Sequence, residues 1–165
     1  MQNFATYLRS VIFGINDSLV STVGLLAGIN VAGVPKSTII LTGVVYSLVE
    51  GFSMAMGNFL SEESADEYAT HTGLIRKATV LSAVFMFISF VGASLIPLLP
   101  YILFSDGTRA LIASIFLSVV ALFVAGAISG ILSGLPLVWR GLRMALLGGV
   151  AIVVGVAIGF FMPAL

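Results

Sequence analysis

The stretch SVIFGINDSLVSTVGLLAGI, Ser10 to Ile29, decides the fold. A membrane-spanning helix takes about 20 apolar residues at a rise of about 1.5 Å each, and this run meets that length. Its only ionisable side chain, Asp17, sits well inside it. The run ends at Asn30-Val-Ala-Gly-Val-Pro35. Beyond it, four more apolar runs cover residues 37–60, 78–104, 109–133 and 142–162, with one polar connection at 61–77. The expected fold is an all-α integral membrane protein with five transmembrane helices, a single transmembrane domain over residues 1–165.

Composition agrees. Of the 165 residues, 59% are hydrophobic and 8% charged, and mean hydropathy is +1.19. A soluble domain of this size has too much exterior to hide that much apolar surface. A β-barrel would alternate apolar and polar residues, whereas these runs are continuous. Arg9 followed by Val11–Ile29 has the outline of a signal peptide. Asn16-Asp17 interrupts its apolar region and no small-x-small cleavage site follows, so a retained first helix is expected.

Seven basic and seven acidic residues give a net charge of zero, which leaves no basic patch for nucleic acid. There is no cysteine, and His71 is the only histidine. Thiolate sites, disulfides and multi-histidine zinc centres are excluded, and no base stands beside a nucleophile, so an enzyme is not expected. With five spans, Arg9, Arg76, Lys77, Arg140 and Arg143 share one side and Lys36 and Arg109 the other. The positive-inside rule then puts the N-terminus in the cytoplasm and the C-terminus outside. Trp139 beside Arg140 reads as an interfacial anchor.

Two acids lie inside the spans, Asp17 in the first and Glu50 in the second. Each costs about 2.5–3.5 kcal/mol near the bilayer centre on insertion scales, so each is expected to face a partner, a cavity or an ion. Gly14, Asp17, Ser21, Gly24 and Gly28 form one small-residue stripe, and Gly43, Ser47, Glu50, Met54, Gly57 and Ser61 another. If the stripes face each other, the carboxylates meet in a place lined by protein. The plainer reading is a pair of structural carboxylates that hold helices together. Met54 follows Glu50 by one turn. As a ligand, its thioether would turn a carboxylate site towards transition metals; otherwise it is filler. In the polar connection, Glu62, Glu63, Asp66, Glu67 and His71 are candidates for weak metal capture if the second helix continues past the membrane, with Glu67 and His71 at i,i+4; otherwise they form a solvated loop. Gly126, Gly130 and Gly134, and Gly155 with Gly159, read as helix contacts. Pro97 and Pro100 are expected to end or kink the third helix.

IFGINDSLVSTVG (Ile12–Gly24) resembles the first-helix signature of the vacuolar iron transporter family, and EGFSMAMGNFLS (Glu50–Ser61) resembles its second-helix element. IPLLPY (Ile96–Tyr101) and GLRMALLGG (Gly141–Gly149) are similar to its third and fifth helices. The resemblance implies a homodimer of five-helix chains in the cell membrane of a prokaryote, a short member of the family. It implies transport of Fe²⁺, and often Mn²⁺, out of the cytoplasm in exchange for protons. It places the path between protomers and carries metal contacts over to Asp17 and Met54. Two features depart from the pattern. The family's second-helix glutamate falls at Tyr46 here, with Glu50 one turn later. The large cytoplasmic metal-binding domain between the second and third helices is replaced by residues 61–77. The cargo would be Fe²⁺ or Mn²⁺ and protons, with no resident cofactor and membrane lipid as surroundings. A passive cation or proton channel, and a non-transporting structural subunit, remain as alternative readings.

Overall fold

A computed structural model describes residues 2–162. Among them are five helices: α1 (Gln2–Val31), α2 (Lys36–Thr70), α3 (Lys77–Leu103), α4 (Gly107–Leu132) and α5 (Leu137–Phe161). All five are long and apolar enough to cross a membrane. The breaks between them follow local chemistry. Gly33 takes a left-handed φ of 86° before Pro35, and Gly134 one of 66° before Pro136, conformations that cost glycine little. Asp106 caps α4 by accepting from the Thr108 amide at 3.0 Å.

Three helices, α3, α4 and α5, begin and end within five residues of the expected bounds, and α1 starts earlier, at Gln2. The larger difference is at the end of α2. Residues 61–70, expected as part of a polar connection, continue the helix to Thr70, so the link to α3 shrinks to 71–76. At about 1.5 Å per residue, α2 is roughly 50 Å long, well beyond a hydrocarbon core of about 30 Å. Pro97 and Pro100 are buried inside α3, which continues past both to Leu103.

α1 is the centre of the bundle and packs on all four other helices; α2 packs on α3, α3 on α4, and α4 on α5. α5 and α2 do not close the ring, so one face of α1 is left open between them. Successive helices alternate in direction. Arg9, early in α1, pairs with Glu62 late in α2. At the other end Lys36 donates to the Phe104 carbonyl at 2.8 Å and Asn30 to that of Gly107 at 3.4 Å.

The interior is rich in small hydroxyl residues. Leu19, Ala93 and Leu122 form one apolar cluster and Leu26, Ile39, Leu98, Tyr101 and Ala110 another. Around them, Ser10, Ser18, Thr22, Ser47, Ser82, Ser94, Ser114 and Ser118 are buried. Some hydroxyls return to their own helix, as Ser47 does to the Gly43 carbonyl at 2.7 Å. Others cross between helices: Ser18 donates to the Phe90 carbonyl at 2.6 Å and Ser114 to that of Pro97 at 2.7 Å. Such small polar contacts hold helices together where lipid gives no hydrophobic drive.

Candidate metal pathway between α1 and α2

The two intramembrane acids come together. Asp17 on α1 and Glu50 on α2 are close enough for their charges to repel each other. Tyr46, one turn before Glu50, lies in the field of both carboxylates, and its hydroxyl is paired with Ser21. The Ser21 hydroxyl in turn donates to the Asp17 carbonyl at 2.6 Å. The Tyr46 ring leans on Phe90 of α3, 6.5 Å between centroids. Asp17, Ser21, Tyr46, Glu50 and Met54 are all half-buried.

The expected meeting of two small-residue stripes occurs only in part. A Cβ on Gly14 would lie 3.0 Å from the Met86 carbonyl oxygen, so this residue packs on α3. Gly24 and Gly28 pack on α5, where a Cβ would come within 3.2 Å of the Ala151 carbonyl and 2.7 Å of the Gly155 carbonyl respectively. Gly155 and Gly159 close on the Gly24 and Gly28 carbonyls from the other side. The buried face of α2 is Ile39, Gly43, Ser47, Gly51 and Ala55. Glu50 and Met54 sit beside that face, and Gly57 looks into open space within the single chain. Gly126 and Gly130 pack against Arg140 at the start of α5, whereas Gly134, expected to be a helix contact beside them, lies in the α4–α5 turn, where a Cβ would meet nothing within 4 Å.

The acidic end of α2 is tied down by arginines. Glu62 pairs with Arg9. Asp66 pairs with Arg76 at 2.7 Å and accepts from Thr79 at 3.2 Å. Glu63 is half-buried and Glu67 exposed. Helix α2 ends at Thr70, and His71 turns out of its register into a left-handed conformation, φ 53°, its amide bonded to the Glu67 carbonyl at 2.8 Å. His71 therefore stands at the left-handed C-cap of α2 and not within its last helical turn. Among the described residues of one chain, no three acidic or histidine side chains gather to hold a metal ion.

Sequence reasoning missed the Tyr46–Ser21 tie and a second polar link nearer the arginine end, where the Asn58 amide donates to Ser82 at 3.0 Å and Ser10 contacts Asn58 at 3.4 Å. The available signal was Asn58 itself, a polar residue in an apolar run.

Comparison with known proteins gives a consistent set of relatives. The VIT family matches residues 8–80 and 69–160. A vacuolar iron transporter of Centaurea cyanus is 37% identical over 70 residues, covering 42% of this chain but only 29% of that protein. Vacuolar iron transporter 1 of Oryza sativa subsp. japonica is 24% identical, with 87% of this chain and 81% of that protein covered. Vacuolar iron transporter 1 of Tulipa gesneriana is 23% identical, with 87% and 82% covered. The last two alignments run over 203 residues against 165 in this chain, so those relatives carry segments absent here.

Proposed function

The chain belongs to the VIT family, a family of transporters and not of enzymes, and from that premise we propose that it moves Fe²⁺, with Mn²⁺ as a second cargo, out of the cytoplasm in exchange for protons. The observation that carries the proposal is the approach of Asp17 and Glu50 across the α1–α2 contact. Two like charges in a membrane are expensive unless a cation or a proton joins them.

Each species then has a role. Fe²⁺ binds the deprotonated carboxylates, and protons compete for the same oxygens. Met54, on the same side as Glu50, supplies a soft ligand that favours Fe²⁺ over Mg²⁺ or Ca²⁺. Tyr46 and Ser21 hold α1 and α2 in register beside the acids. If the site opens alternately to the two sides, this competition couples outward metal to inward proton.

One chain offers two carboxylates and a thioether, which is a partial coordination shell. A second copy related by a two-fold axis along the open face of α1 would bring up to four carboxylates together. The proposal therefore includes a homodimer, with the path between protomers. In a prokaryotic cell membrane with the N-terminus inside, the protruding end of α2 would stand in the cytoplasm. There Glu63 and Glu67, which have no arginine partner among the described residues, would attract cations weakly.

The test is Fe²⁺ and Mn²⁺ uptake into vesicles holding the purified protein, with proton movement recorded in the same vesicles. Metal entry accompanied by counter-movement of protons, and driven by an imposed pH gradient, is the expected result. Metal flux indifferent to the gradient would replace the antiporter with a passive channel. Absence of flux would leave the acids as structural ties.

A further inference from the structure

At the end of the bundle that carries most of the positive charge, α1, α4 and α5 part to leave a cleft of about 560 Å³. Arg9, Arg140 and Arg143 line it, together with Asn16, Ser129 and Ser133. The arginines differ in their state. Arg9 is neutralised by Glu62. Among the described residues, Arg140 and Arg143 have no carboxylate partner. Two arginines without a carboxylate partner therefore line one cleft. The positive-inside rule accounts for arginines at this end of the protein, but not for their gathering around a hollow.

The rest of the wall is apolar, with Ile12, Phe13 and Leu147 among its residues. Leu147 is exposed, and so is Leu146 beside it, so the apolar wall continues onto the surface that meets the bilayer. Trp139, adjacent to Arg140, is 68% exposed; an indole so placed marks the headgroup level of a membrane. The start of α5 adds the positive end of a helix dipole at the same place.

We propose that this cleft is a binding site for an anionic phospholipid, with the phosphate headgroup held by Arg140 and Arg143 and the acyl chains lying along the apolar wall. Guanidinium groups pair with phosphate oxygens through two parallel hydrogen bonds. Basic pockets between membrane helices suit acidic headgroups for this reason. A free phosphate would satisfy the arginines but leave the apolar wall unused, which is why the lipid is the occupant. The inference is independent of the transport reading, because it uses none of Asp17, Glu50 or Met54.

The experiment measures retention of phosphatidylglycerol and phosphatidylcholine on the purified protein by native mass spectrometry. Wild type should retain phosphatidylglycerol selectively, and excess inorganic phosphate should not displace it. At about 1 kcal/mol per arginine near an anionic surface, the R140Q/R143Q variant should bind it about 30-fold more weakly. The R76Q/K77Q variant loses equal charge at the same end of the bundle but outside the cleft, and should bind it normally. Equal loss in both variants would overturn the site in favour of general charge attraction. Displacement by inorganic phosphate would make the ligand a free anion, and a change of oligomeric state in R140Q/R143Q without loss of lipid would make the cleft a contact between copies. Should R140Q/R143Q fail to fold, a photoreactive phosphatidylglycerol on wild type decides: crosslinks concentrated at the cleft residues support the site, and crosslinks scattered over the bundle surface overturn it.

Discussion

The central helix has two different seams. Against α5, α1 presents Gly24 and Gly28 to Gly155 and Gly159, backbone against backbone, and a methyl group on Gly28, Gly155 or Gly159 would collide with a facing carbonyl. Against α2, it presents Asp17, Ser21 and Ser10 to Glu50, Tyr46 and Asn58, side chain to side chain. The glycine seam holds its helices by close van der Waals contact, which is geometrically unforgiving. The polar seam puts repelling charges between its helices. A transporter needs a fixed element and an element whose separation can change with its cargo. The glycine seam of α1–α5 suits the first role and the polar seam of α1–α2 the second.

The comparison can be broken most severely on the glycine side. Gly155→Leu drives a side chain into the Gly24 carbonyl, and overpacking of this kind costs about 3 kcal/mol, at the upper end of the usual range. Thermal unfolding in detergent should show a large loss of stability or no folded protein. Tolerance within about 1 kcal/mol would show that the seam is not rigid.

Next comes Glu50. Glu50→Gln should lower metal flux at least about 100-fold while leaving the melting temperature near that of wild type, because an amide keeps the size but not the charge that a divalent ion needs. Adding Tyr46→Glu should restore part of the flux, since the new acid lies on the same face about 6 Å further along the axis. Unchanged flux in Glu50→Gln alone would reduce Glu50 to a helix contact.

Met54→Leu keeps volume and should cost under about 1.5 kcal/mol in stability. Losing the soft ligand should reduce Fe²⁺ transport roughly five-fold and Mn²⁺ transport less. An equal reduction for both ions would mark Met54 as filler.

The smallest effect is expected from Tyr46→Phe, which removes only the bond to Ser21. Interhelical hydrogen bonds in membranes average about 0.6 kcal/mol, so stability should fall by about that much and flux should persist. A loss above about 2 kcal/mol would make this bond, and not the charges, the main tie between α1 and α2.

The five spans were legible because continuous apolar runs of about 20 residues have few other uses. Asp17 and Glu50 were legible because a charge in such a run needs a reason. The extension of α2 to Thr70 was not, since hydropathy detects the membrane and not the helix, and Ser61–Thr70 is helical but polar. Glycine spacing told which residues share a face but not which helix comes to meet it. Gly14 went to α3, and Gly24 and Gly28 to α5. Tyr46 read only as the place of a missing acid, because a hydroxyl's partner on another helix leaves no mark in the order of residues.

The most direct test of the central claim is Fe²⁺ flux through Asp17→Asn in vesicles, set beside the melting temperature of the same preparation. The substitution changes the charge at the polar seam and leaves the glycine seam untouched. Flux should fall to the level of empty vesicles while the melting temperature stays near that of wild type. Normal flux in a protein that melts like wild type would contradict the account and remove Asp17 from the pathway.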